Sequence, residues 1–183
     1  MTPTHSVPVR IPDTKDWTWV LERPCPECGY NGTEITPDLV GERLLAAAEQ
    51  LAGALDRADV QERPNPDTWS PLEYACHVRD VCRIFTERLG LMLLQDGPEF
   101  PNWDQDATCV EDDYNAQDPE TVRNELLKSA HELALAWSKV PEDAWHRHGT
   151  RSDGARFTVL TLGRYLVHDP AHHAWDVTGA LQG

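Results

Sequence analysis

The chain has 183 residues and carries 16 Lys and Arg against 31 Asp and Glu, a formal charge of −15 with His neutral. So negative a field repels phosphate backbones and anionic lipid surfaces, which argues against nucleic-acid and membrane partners. The length suits one domain with a real core, and an apolar share of 40% with 26% charged residues is globular rather than disordered.

No stretch approaches the ~18 continuous apolar residues of a membrane helix. Residues 1–16 are polar and Pro-rich, without the basic and apolar blocks of a secretory signal, so the cytoplasm is the expected compartment. Five Cys is an odd count, and Cys76 and Cys82 fall inside a helical pattern. Reduced thiols or metal ligands fit this better than a disulfide framework.

Residues 1–35 read as an irregular N-terminal extension, punctuated by Pro3, Pro8, Pro12, Pro24 and Pro26. Trp17, Trp19, Val20 and Leu21 suggest a short strand or an extended segment packed on the body. Residues 36–183 read as a helical domain. Thr36-Pro37-Asp38 supplies a cap, a first-turn proline and a dipole-facing carboxylate for a first helix. Leu44, Leu45, Ala48, Leu51, Ala52 and Leu55 then recur at helical spacing.

Ser70-Pro71-Leu72-Glu73 is the clearest start signal, with the Ser and Glu of a capping box. The second helix runs to about Gln95, and its apolar positions widen around the axis, as expected of a central helix. An acidic loop follows over 96–117. Asp118-Pro119-Glu120 opens a third helix that Pro141 closes, residues 142–157 read as irregular, and a fourth helix spans about Thr158 to Thr178. Pro170 lies inside it and is expected to kink or break it. Four helices without a convincing sheet imply an all-α four-helix bundle, and the unequal connections leave room for an unusual topology.

His77 lies early in the second helix, and His168 and His172 lie four apart in the fourth. A spacing of four puts two imidazoles on one helical face, ~5–6 Å apart at Cβ. Imidazole suits Zn, Ni, Fe and Cu, and a third His from a neighbouring helix would leave a fourth position open for water or substrate. Asp169-Pro170 can also open a new helix, which makes His173 an alternative ligand. His131, His146 and His148 read as surface residues.

Two segments resemble a known family. Trp69-Ser70-Pro71-Leu72-Glu73-Tyr74-Ala75-Cys76-His77-Val78-Arg79-Asp80 is similar to the start of the second helix in the DinB/YfiT-like superfamily, where a Trp-Ser/Thr turn leads to a metal-binding His. Tyr165-Leu166-Val167-His168-Asp169-Pro170-Ala171-His172-His173 is similar to that family's last-helix His-x-x-x-His motif. The resemblance covers about residues 36–180. It implies a four-helix bundle, often dimeric, with His77, His168 and His172 on a divalent metal, commonly Zn or Ni. It further implies an enzyme acting on a small molecule, either a hydrolase or a thiol-dependent S-transferase of the bacillithiol or mycothiol type. The other reading is a non-catalytic metal-binding or structural module. This sequence departs from the pattern at Pro170.

With a metal in place, Asp80 and Asp169 are candidates for holding an imidazole tautomer from behind. Near the N-terminus, Cys25-Pro26-Glu27-Cys28-Gly29 looks like half of a zinc ribbon. No second CxxC completes it. Cys25 and Cys28 therefore read as a turn with reduced thiols, as two ligands of a second metal, or as a redox pair, although the last normally needs a βαβ setting. Residues 96–120 hold nine carboxylates and no Lys or Arg. Placed over the mouth of the bundle, they would favour a cation and disfavour a highly anionic thiol cofactor.

Overall fold

The computed structural model describes residues 16–179. Its core is a bundle of four long helices: α1 (Leu39–Ala54), α2 (Pro71–Leu94), α4 (Pro119–Ser138) and α5 (Val159–Thr178), with a short α3 (Gln105–Glu111) between α2 and α4. Helix α4 packs against α1 and α2, and α5 packs against the same two. The start signals act as expected at two helices. The Ser70 hydroxyl accepts from the Glu73 N–H while the Glu73 carboxylate accepts from the Ser70 N–H, closing the capping box of α2. Asp118 caps α4 through the Thr121 N–H, and Thr158 caps α5 through the Thr161 N–H. At α1 the turn comes earlier than the helix: Thr36 donates to the Asp38 carboxylate, and the helix begins at Leu39.

Helix α2 is the spine. Its first nine residues, Pro71 to Arg79, are all buried, because α4 and α5 cover it and the connections close over its N-terminal end. No helix among the described residues is long and apolar enough to cross a membrane.

Three expectations are corrected. Residues 17–21 are no strand: Thr18–Leu21 is a 3₁₀ turn lying on α5. The loops carry a small sheet, in which β1 (Glu99–Phe100) pairs in parallel with β2 (His148–Arg151) and β2 pairs antiparallel with β3 (Arg156–Thr158). Strands of two to four residues are too short to show a period-two pattern, and their pairing is fixed by chain ends that the bundle brings together. Finally, α5 continues through Pro170. The proline cannot donate to the Leu166 carbonyl, but it is buried in a helix that packs along α1 and α2, and this packing offsets the lost bond.

Candidate metal centres

The site is built on one stretch of α5. Successive helical residues are rotated by 100°, so residues 168 and 172 share one face and residues 169 and 173 share the next. The structure uses both faces. His168 and His172 turn towards the N-terminal extension, where they meet Cys25 and Cys28, and the ligand atoms of all four lie within 4.8 Å of one another. Asp169 and His173 turn towards α2, where they meet His77 with the same closeness. The three expected His are thus divided between two clusters.

In the first cluster His77 Nε2 lies 3.2 Å from Asp169 Oδ1, and His173 Nε2 lies 3.8 Å from the same oxygen. His173 Nδ1 lies 3.1 Å from Asp176 Oδ2, so a carboxylate sits behind this imidazole and orients it. His77 is wholly buried, and its Nδ1 has no hydrogen-bond partner among the described residues. Burial pushes the His77 pKa down, towards the neutral ring that can ligate. Asp169 goes the other way to what its burial alone would do: the facing His77 and His173 hold its carboxyl well below the usual range. Aromatic rings wall the cluster. Trp103 stacks on His77 at 5.2 Å with an interplanar angle of 3°, Trp69 lies 5.2 Å from His77, and Tyr74 lies 4.7 Å from His173. Trp103 comes from the acidic loop, which places part of that loop over the cluster.

In the second cluster Cys25 Sγ lies 3.6 Å from His172 Nδ1, and His172 Nε2 lies 3.2 Å from Glu27 Oε2. Trp17 and Tyr30 pack on His168 with ring centroids 5.4 and 5.3 Å away. All four candidate ligands are buried. Asp176 connects the two clusters, since its second oxygen lies 3.9 Å from His172 Nε2.

Asp169, expected behind an imidazole, lies in the same candidate cluster as His77 and His173. Asp80 has other business. It is hydrogen-bonded by Arg79, Arg83 and the Tyr114 hydroxyl, which braces α2 against the turn before α4. These bonds outweigh burial and lower the Asp80 pKa. A carboxyl whose folded pKa lies below its unfolded one adds stability that is whole above the unfolded value and is lost as pH falls through the folded one. The urea midpoint of wild type should therefore fall more steeply than that of Asp80→Asn as pH drops below 3.8. Equal slopes would show that Asp80 adds no acid-labile stability.

His131, His146 and His148 are exposed, as expected. The remaining thiols are poor nucleophiles: burial pushes Cys76, Cys82 and Cys109 each up to about 12. Asp176 and Trp103 were missed in the sequence. Asp176 had a legible signal, being three residues past His173 and so within one turn. Trp103 had none, because a loop residue carries no periodicity.

A bundle of four long helices with histidines and a carboxylate converging between its second and last helices is the architecture seen here. The sequence matches the family described as the DinB superfamily over residues 41–177, and the chain belongs to it. Among solved structures it is similar to YfiT from Bacillus subtilis, described as "a probable metal-dependent hydrolase with an unusual four-helix bundle topology". The two are 19% identical and superpose with a TM-score of 0.71 over 80% of this chain and 87% of that one. At that identity the likeness is one of fold. No curated protein matches the chain. Cys25 and Cys28 precede the matched residues.

Proposed function

We propose that the chain is a metal-dependent enzyme whose working cation is held by His77, Asp169 and His173. The observation that carries this is the convergence of two imidazoles and a carboxylate within 4.8 Å, from two helices that are distant in sequence. The donor set fits a divalent metal. Ligands about 2.0–2.1 Å from a tetrahedral ion lie ~3.3 Å from one another, close to the 3.2 Å between His77 Nε2 and Asp169 Oδ1. Two imidazoles and one carboxylate is a catalytic zinc set, and nickel or iron accepts the same donors.

A cation bound there supplies Lewis acidity and lowers the pKa of a water or thiol towards neutrality. The chain's own residues do the rest. His77 is kept neutral by burial, Asp169 is kept ionised, and Asp176 fixes the tautomer of His173. Trp103 and Trp69 shield the site from bulk water and offer flat apolar faces to a substrate. Hydrolysis of a small neutral or cationic molecule is the better-supported reaction. The acidic loop beside the site disfavours an anionic thiol cofactor, and YfiT, which shares the fold, is described as a probable metal-dependent hydrolase.

The test uses untagged protein, metal analysis by mass spectrometry and a panel of ester and amide substrates. His77→Ala and Asp169→Ala should each lose one equivalent of metal and lower turnover by roughly a hundredfold or more. Full metal content with unchanged turnover in both variants would end this reading.

A further inference from the structure

We propose that Cys25, Cys28, His168 and His172 form a second metal site, a closed structural zinc site that fastens the N-terminal extension to α5. Four independent features support it, and none depends on catalysis at His77.

The donor set is the first. Two sulfurs and two imidazole nitrogens meet within 4.8 Å, and every one of the four residues is buried. Two Cys and two His make a complete tetrahedral zinc shell, with no position left for water or substrate. The second is spacing. With Zn–S near 2.3 Å and Zn–N near 2.0–2.1 Å, a sulfur and a nitrogen on one tetrahedral ion lie about 3.6 Å apart. Cys25 Sγ and His172 Nδ1 are 3.6 Å apart.

The third is the local turn. Cys25-Pro26-Glu27-Cys28-Gly29 folds back so that the Gly29 N–H donates to the Cys25 carbonyl and the Cys25 N–H donates to the Tyr30 carbonyl. Gly29 takes φ 76°, which a side chain rarely adopts. The fourth lies behind the ligands. Glu27 stands 3.2 Å from the outer nitrogen of His172, so the ring that would give Nδ1 to the metal is oriented by a carboxylate on Nε2.

Zinc entry would release the two thiol protons to solvent and leave a neutral site of two thiolates, two imidazoles and Zn²⁺. No redox change is required. The extension needs such a staple. Over its described residues, 16–35, it holds two short 3₁₀ turns, Thr18–Leu21 and Gly32–Glu34, too little to hold that stretch in place without an anchor. Once pinned, it lays Trp17 and Tyr30 over His168. Asp176 then makes the two centres neighbours, with one oxygen near His173 and the other near His172.

The experiment loads the full chain with Co²⁺ and reads its spectrum, because a thiolate-to-cobalt charge-transfer band arises only where sulfur is a ligand. Wild type, His77→Ala and Asp169→Ala should all show the band at full strength, and Cys28→Ser, left with the Cys25 thiolate alone, should weaken it markedly. Failure of the catalytic reading would leave this pattern untouched. X-ray absorption of the wild-type zinc protein should show sulfur in the metal's shell, which needs no variant to fold. Cleavage within residues 16–35 should speed up roughly tenfold in Cys28→Ser while the helical circular dichroism is kept. Zinc without sulfur neighbours, a Cys25–Cys28 disulfide in anaerobically prepared protein, or an unchanged band in Cys28→Ser would each overturn the proposal.

Discussion

Glu73→Ala is expected to lower the unfolding free energy by about 3–5 kcal/mol, read from urea denaturation. Glu73 is 1% exposed and does two jobs at once. Its carboxylate accepts from the Ser70 N–H at 2.8 Å, completing the cap of α2, and accepts from Arg63 Nε at 2.8 Å. Truncation takes the carboxylate from an Arg63 side chain that is only 11% exposed, and breaking so enclosed a pair costs far more than a surface pair is worth. The lost cap adds about 1 kcal/mol. Glu73→Gln keeps a carbonyl oxygen for the Ser70 N–H and should cost clearly less, which separates the charge from the cap. Removing both partners as Arg63→Met with Glu73→Leu should recover much of the loss, since the desolvation penalty goes with the charges. The effect should reach the site, because Trp69 precedes the cap and packs on His77, and His77 lies one turn beyond Glu73. Glu73→Ala should therefore also hold metal more weakly at the His77 cluster. A loss under about 1 kcal/mol would show that the pair is not the clasp described.

The elements most legible in the sequence are those fixed by local chemistry. Ser70-Pro71 and Asp118-Pro119 start helices because cap and proline act within one turn, and both starts lie where expected. The fold class followed from the apolar stripes of the four long helices. The site was legible in its residue types and only partly in its partners. A spacing of four makes His168 and His172 a pair, and it makes Asp169 and His173 a pair equally well. Nothing along α5 says which pair faces α2; that depends on how the helix is rotated in the bundle. Cys25 and Cys28 could not be joined to their partners for a related reason: His168 and His172 are at least 140 residues away, and CxxC fixes only its own turn. The small sheet and Trp103 were invisible because their places are set by contacts distant in sequence.

Trp137→Ala should cost about 3–5 kcal/mol, because the indole is 1% exposed and its removal leaves a cavity between α4 and α5. Trp137→Phe is the more informative change, since two terms oppose each other. The smaller ring forfeits contacts, but the Trp137 Nε1–H is buried with no hydrogen-bond partner among the described residues, and deleting it removes a penalty of roughly 1–3 kcal/mol. The net cost should stay below about 2 kcal/mol. The ring's far edge fits against Gly163: a Cβ there would lie 3.2 Å from Trp137 Cη2 and 3.1 Å from Val40 Cγ2. In wild type, Gly163→Ala therefore overpacks the α4–α5 contact and should destabilise, even though Ala is the better helix former by about 1 kcal/mol. With Phe at 137 the indole edge is gone, the helix preference survives, and only Val40 must yield. The double change should be more stable than the sum of its parts by at least ~0.5 kcal/mol, measured as a double-mutant cycle. Additive effects would mean that α5 is not seated by this contact. The same helix carries both candidate metal clusters, so a shift of α5 seen in stability should also appear as weaker metal retention in Trp137→Ala and not in the compensated pair.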